Sequence, residues 1–267
     1  MSDAALEKSL VPAVTRAIAV LDYIAESNGR PVGLSDLARA VGIAKSSASN
    51  LCAALEKGGL LHRNEMGYVL GRRTVELGGA YLRSFDQIRE FYQLCAELPH
   101  LRFELVQIAA LDGTEVFYLA RHEGRAPRFS ASVGERFPAS LTAVGNALLS
   151  LLAPADIESL YGSSEDWPRL TDNSTTNFQA LQVKLAKARE SGFGLDEREV
   201  FPNIVGLALP IPPRHAGDVP LAVGVSILTP YDSPDYRSIV MTELRMIVDH
   251  LTNPMSSSQV HAAVVAQ

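Results

Sequence analysis

Cysteine is nearly absent. The 267 residues contain two, Cys52 and Cys95, and neither sits in a C-x-x-C pair or beside a histidine at metal-ligand spacing. A disulfide framework and a structural zinc are therefore not expected, and the six histidines, His62, His100, His122, His215, His250 and His261, show no metal spacing either. Long apolar runs are missing too: none approaches the ~18 residues a membrane span needs. The opening segment MSDAALEKSLVPAV has no basic stretch followed by an apolar one. A cytoplasmic chain with no membrane partner is the expectation. Cofactor and nucleophile signatures fail on inspection. Gly192-Phe193-Gly194 lacks the third glycine of a dinucleotide loop, and Gly224-Val225-Ser226 has no glycine two residues after the serine, as a G-x-S-x-G elbow requires. No cofactor, no metal and no catalytic residue is assigned. Cys95 near Glu97 and His100 reads as helix packing, because i to i+5 does not put two side chains on one face.

Positive charge is scarce as well: 24 Lys and Arg against 30 Asp and Glu leave a formal net charge of −6. A strongly basic nucleic-acid binder is excluded. The deficit is uneven, however. Residues 1 to 83 carry 10 basic and 8 acidic residues, a net of +2, and residues 84 to 267 carry 14 and 22, a net of −8.

What is present is a core: 47% of residues are hydrophobic, enough apolar surface to offset the entropy of ordering the chain. At this length one large domain or two ordinary ones fit. Near the N-terminus, Pro12 followed by Val14, Ala17, Ile18, Leu21 and Ile24 predicts a helix that breaks at Asn28-Gly29. Leu34-Ser35-Asp36 opens a second helix, stopped by Gly42. A third runs from Lys45 to Lys57, with Ala48, Leu51, Cys52 and Leu55 on one face and Ser46, Ser47, Ser49 and Asn50 at its polar start. After Gly58-Gly59 the period becomes that of strands, Leu60 to Arg63 and Tyr68 to Leu70 about a turn at Asn64 to Gly67. This is the outline of a winged helix-turn-helix, whose third helix enters the major groove.

Helical pattern returns from Arg72 to Pro99. Beyond it Phe103 to Leu111, Val116 to Arg121 and Phe129 to Val133 read as strands. Ala139 to Leu152 reads as a helix capped near Ser140 or Thr142, and Phe178 to Glu190 as one ended by Gly192. Ile204 to Ile211 and Leu221 to Leu228 read as central strands, and Ser233-Pro234 starts a last helix. The fold class is α+β. The expected division is residues 1–72 as a winged helix-turn-helix, 73–100 as linker helices, 101–253 as a mixed α+β domain and 254–267 as a mobile tail.

The polar start of the third helix is the most informative feature. Short polar side chains there reach phosphates and base edges, and Asn pairs bidentately with adenine. A merely solvated face is the bland alternative. Its position between a short helix and a wing favours contact with double-stranded operator DNA through Lys45, Ser46, Ser47, Ser49 and Asn50. Arg16, Ser35 and Arg63, together with Arg72-Arg73, are candidates for the phosphates; surface solvation explains Arg16 and Arg72-Arg73 about as well, and an ordinary N-cap at Ser35 is compatible with a phosphate contact.

The segments VTRAIAVLDYIAE, LSDLARAVGIAKSSASNLCAALEKGGLL, GYVLGRRTVELG, ASLTAVGNALLS and GFGLDEREVFPNIVGLALPI resemble transcriptional regulators of the IclR family along nearly the full length. The resemblance implies a GAF-like effector domain behind the DNA-binding head, assembly into a homodimer or tetramer, and a small-molecule effector. It also implies that the effector's carboxylate meets backbone N–H groups of Ala143 and Val144, with Thr142 and Gly145 shaping the turn; free amides and a helix dipole favour an anion there. Asp196 and Glu199 match effector-facing positions, though a hydrophilic loop before a strand explains them about as well. Two departures bear on the ligand. Relatives often place Cys where this chain has Gly206 and a second Ser where it has Leu228, while Ser226 is retained. In the recognition helix Ser47 and Asn50 stand where the family usually has Thr and Arg. Losing two polar partners points to an effector with an apolar or aromatic body and one polar head, walled by Phe117, Tyr118, Phe129 and Leu228, each of which core packing also explains.

The expected function is a ligand-responsive regulator of a catabolic or transport operon. Two other classes fit the same segments: a small-molecule-binding enzyme built on residues 84 to 267, and a protein-interaction module whose winged helix binds a protein. Ligand turnover would mark the first, and a salt-dependent shift of upstream DNA would argue against the second.

Overall fold

The computed structural model describes residues 11–82, 86–124, 132–214 and 218–252. The chain divides into two compact units, with the boundary between residues 84 and 85. Among the described residues no helix is long and apolar enough to cross a membrane. The expected tail, 254–267, lies outside the described residues, as do Phe129 and His215.

The first unit opens with α1, Pro12–Glu26, whose proline sits in the first turn, where its missing N–H is no loss. Asn28 (φ 51°) and Gly29 (φ 80°), both left-handed, end the turn that follows. Val20 and Ile24 are buried, but Val14 and Ile18, placed on the core stripe by periodicity, are 55% and 50% exposed. The helix has two apolar faces, and only the one through Ala17, Val20 and Ile24 finds a core. α2, Leu34–Ala40, and α3, Lys45–Lys57, follow, separated by Gly42 (φ 67°). α2 is N-capped by Gly33, so Ser35 is inside its first turn and is not a cap. β1, Leu61–Asn64, and β2, Gly67–Leu70, pair antiparallel across a turn in which Asn64 Oδ1 accepts from the N–H of Met66 and Gly67, each at 3.0 Å. Gly67 (φ 149°) is required: a Cβ would stand 2.5 Å from Val32 O, where Val32 makes an isolated antiparallel bridge to Tyr68. Val20, Ile24, Leu37, Cys52, Leu55, Leu61 and Tyr68 form the core. α4, Arg73–Leu82, ends the unit and has no buried residue.

Among the described residues, the second unit is one six-stranded antiparallel sheet flanked by helices. α5, Asp86–Glu97, and a short 3-10 turn, Leu101–Phe103, lead to β3, Leu105–Asp112, and β4, Glu115–Glu123. β5 is Arg136–Pro138, and Gly134 (φ 88°) turns the chain just before it; of the strand expected at Phe129 to Val133, residues 129–131 lie outside the described residues and Val133 is in that turn. α6 is Ala143–Leu149, shorter at both ends than the apolar pattern 139–152, since Thr142 Oγ1 accepts the Gly145 N–H at 3.0 Å and starts the helix there. Then come α7, Pro154–Tyr161, which no periodic signal announced, and α8, Phe178–Ser191, capped by Asn177 Oδ1 and closed by left-handed Gly192. β6, Gly194–Glu197, β7, Ile204–Ile211, β8, Leu221–Leu228, and α9, Pro234–Thr252, complete the unit. The strand order is β5-β4-β3-β8-β7-β6. α6 lies across β6, β7 and β8, with α9 packed on β7 and β8 and α5 on β4. Strands covered on both faces carry no polar alternation, which is why VGLAL and LAVGV read as continuous apolar runs.

Candidate functional site

Two regions hold the residues singled out by sequence. On the first unit, Lys45, Ser46, Ser47, Ser49 and Asn50 are exposed on the outer side of α3, while Ala48, Cys52 and Leu55 of the same helix are buried. The alternation follows from the 3.6-residue period: the apolar positions fix the helix to the core, and that leaves the short polar ones facing solvent. Arg63 on β1 is exposed and lies over the Tyr68 ring at 5.6 Å. Ser35 is exposed, Arg16 half-buried, and Arg73 pairs with Glu76 at 2.7 Å.

On the second unit, α6 sits unusually close to the sheet because glycines face it. A Cβ on Gly194 would collide with Ala143 O and stand 2.5 Å from Ala147 N, and one on Gly224 would be 2.7 Å from Val144 Cγ1. Asn146 Nδ2 adds a hydrogen bond to Leu195 O at 2.8 Å. Beside the start of α6 opens a small cavity, with about 40 Å3 of room for the centre of a water-sized sphere. Thr142, Ala143, Val144, Asp196, Gly206, Ser226 and Tyr118 line it, seven of the positions named from sequence. No described group accepts the N–H of Ala143 or Val144, as expected for the first turn of a helix.

Four named positions are not on this wall. Gly145 gives its N–H to Thr142 Oγ1. Leu228 ends β8 beyond the cavity, opposite Ile204. Phe117 is next to Tyr118 on β4, and successive side chains of a strand point to opposite faces; Tyr118 lines the cavity, and Phe117 lies under the Arg136 guanidinium at 5.5 Å. Glu199 is buried, but its carboxylate is taken: Oε1 pairs with Lys184 Nζ at 2.6 Å, and Oε2 accepts from Thr175 N at 2.9 Å and Thr175 Oγ1 at 2.7 Å. Nor do 196–199 form a simple loop, since Asp196 is on β6, paired with Gly206.

Periodicity also missed part of the wall. Phe137 of β5 and Phe201, in the turn before β7, line the cavity with Tyr118; Phe137 is 6.1 Å from Tyr118 and 6.0 Å from Phe201 between ring centroids. Gln107 lines it too, and a glutamine in the middle of LVQIAAL was the one legible signal. Phe137 and Phe201 meet only through the fold.

Asp196 is the ionisable group that governs the cavity's electrostatics. Burial pushes its carboxyl up to about 7, with the Glu199 carboxylate adding to the rise; hydrogen bonds from the backbone N–H of Glu199 (2.6 Å) and Val200 and the Lys184 ammonium oppose it. The native state therefore holds a proton that the unfolded chain, titrating near 3.8, has released. Between about pH 4 and pH 7 stability is expected to fall as pH rises, and to level off above that. Asp196→Asn should abolish the slope and be more stable than the parent at pH 8 by about 1 kcal/mol or more, at ~2–4 °C of melting temperature per kcal/mol. Thermal unfolding at pH 5 and pH 8 measures it; a wild-type stability that does not change over that window refutes it.

Comparison with known proteins places the whole. Residues 13–65 match the IclR helix-turn-helix domain and residues 79–251 match the bacterial transcriptional regulator IclR C-terminal domain. The chain belongs to the IclR family of transcriptional regulators, which bind operator DNA and small-molecule effectors. It is 28% identical to the HTH-type transcriptional regulator XynR of Escherichia coli K12 over 223 residues, 82% of this chain and 87% of XynR. A regulator crystallised from Rhodococcus sp. RHA1 superposes with a TM-score of 0.78 at 25% identity, covering 92% of this chain and 99% of that one. An IclR homologue from Microbacterium hydrocarbonoxydans, solved with 4-hydroxybenzoate, superposes at 0.75 with 23% identity, covering 90% and 98%.

Proposed function

We propose that this regulator senses an aromatic or similarly apolar-bodied carboxylic acid in the cavity beside α6 and controls a catabolic or transport operon accordingly. The observation that carries the effector class is the ring cluster of Tyr118, Phe137 and Phe201 on a wall that also holds two unused backbone N–H groups. Aromatic rings prefer edge-to-face partners at these separations, so a flat apolar ligand gains packing there, and its carboxylate gains donors at Ala143 and Val144. The Microbacterium homologue's complex with 4-hydroxybenzoate supports the same class. Gly206 leaves the corner free of the polar group that relatives often carry. A small polar 2-oxo acid would leave the rings uncovered.

The DNA side of the proposal assigns Lys45, Arg16, Ser35 and Arg63 to phosphates and Ser46, Ser47, Ser49 and Asn50 to base edges or adjacent sugar. Self-association is part of it, because two heads reading half-sites one helical turn apart need a dimer. Val75, Leu77 and Tyr81 of α4 are 75%, 49% and 47% exposed, an apolar surface that an isolated chain would leave in water. An effector coupling of ~1–3 kcal/mol then changes operator affinity 5- to 150-fold.

Two titrations test this. Calorimetry should show benzoate and 4-hydroxybenzoate binding more tightly than pyruvate or glyoxylate; the reverse order sinks the effector class. With the gene's upstream DNA, Asn50→Ala should cost ~1–3 kcal/mol and relax preference at one position, whereas Lys45→Ala should weaken all sequences alike and flatten the salt dependence. An Asn50→Ala protein with unchanged affinity and specificity would remove that residue from the reading head.

A further inference from the structure

The proposed effector would bring a carboxylate, yet no described residue lining the cavity is a cation. Among the described lining side chains the only formal charge is the carboxylate of Asp196. The nearest ammonium, Lys184 Nζ, is held by Glu199 Oε1 and by Ser140 O, and it lines a separate groove between α8 and β6. Asp196 also stands close to where an acid would lie. The point where a Gly206 Cβ would sit is 3.1 Å from Ala143 Cβ and 3.8 Å from Asp196 Oδ2, so the buried carboxylate and the start of α6 share one corner. Two carboxylates in one dry corner do not both ionise.

We infer that the cavity takes up its acid effector together with one proton, shared between the ligand carboxylate and the Asp196 carboxyl, so that Asp196 selects monocarboxylic acids over amines and dianions. This rests on the proposed effector site. The proton comes from solvent and ends in an O–H···O hydrogen bond; no other bond forms or breaks. The surroundings suit such a proton. The titratable groups facing Asp196 are Glu199, beyond the end of its own strand, Lys184 on α8 and Tyr118 on β4. Lys184 and Glu199 form a closed ion pair and largely cancel, and burial pushes the Tyr118 phenol up, so it stays neutral. β7 and α6 present Gly206 and Ala143 there, neither titratable. Burial has already brought Asp196 near neutrality at physiological pH.

The experiment is calorimetry of the full chain with benzoate in buffers of low and high ionisation enthalpy, from pH 6 to pH 9, with benzylamine as the cationic comparison. The expected result is an uptake approaching one proton per benzoate at pH 8, with affinity falling about tenfold per pH unit above the Asp196 titration. Asp196→Asn, whose amide donates where the carboxyl O–H did, should bind benzoate with no proton uptake and at one affinity across the range. Benzoate binding with no uptake, or with proton release, overturns the inference while leaving an aromatic-acid sensor in place. Tighter binding of benzylamine than of benzoate overturns it as well, and failure of every aromatic acid to bind between pH 6 and pH 9 removes both.

Discussion

Replacing Lys184 by methionine is expected to destabilise the effector unit by ~3–5 kcal/mol, the usual cost of stranding one member of a buried ion pair. Lys184 and Glu199 side chains are 18% and 7% exposed, and the ammonium bridges Glu199 Oε1 at 2.6 Å and Ser140 O at 2.5 Å. Burial pulls the ammonium's titration down while Glu199 and Asp196 pull it back, so the partner favours the charged form. Methionine fills the same volume without the charge. It leaves the largely buried Glu199 with its Thr175 bonds but no cation. Adding Glu199→Gln should return a good part of the loss, since the uncompensated carboxylate goes with it. Calorimetric unfolding of the four proteins gives the coupling, and strictly additive losses would mean that the pair does not act as one unit. The consequence extends to function. Ser140 is two residues before the Thr142 cap, so losing the Lys184 bond should also loosen the start of α6 and weaken effector binding more than global stability alone predicts.

Gly194→Ala is expected to be at least as severe, beyond the ~4–5 kcal/mol that marks an exceptional substitution, and to yield little soluble protein. The added carbon would overlap Ala143 O and crowd Ala147 N, both backbone atoms of α6, which no rotamer change can relieve. The helix would have to lift off β6, breaking the Asn146 to Leu195 bond and opening the cavity corner. Gly206→Ala is the informative contrast: its carbon would come nearest to the Ala143 and Asp196 Cβ atoms, at 3.1 and 3.2 Å, so a shift of a few tenths of an ångström suffices. That variant should fold, at a cost below ~1.5 kcal/mol, and bind effector less well because the corner is smaller. Equal expression and melting temperature for Gly194→Ala and the parent would show that α6 does not depend on this close approach.

Local patterns announced most of the elements because their causes are local. Pro12, Asn177, Gly192 and the Asn64 turn act through their own φ values and nearest amides, and a reader of the chain can place them. α7 escaped notice because only Ile157 and Tyr161 of its eight residues are buried. Val14 and Ile18 misled for a different reason: an apolar stripe shows that a face can be buried, not that anything in the same unit will bury it. Phe117 was ruled out by the period of two once Tyr118 was placed, whereas Glu199 looked like a free carboxylate until the fold brought Lys184 and Thr175 to it.

By itself the sequence determined the two-part plan, the helix-turn-helix with its wing and the polar outer side of α3, since each depends on interactions within a few residues. Only the tertiary structure decided the cavity. Tyr118, Phe137 and Phe201 come from β4, β5 and the turn before β7, and Asp196 from the edge strand β6. Long-range packing sets which side chains share one wall and how much water an ionisable group loses there, and no spacing along the chain encodes either quantity.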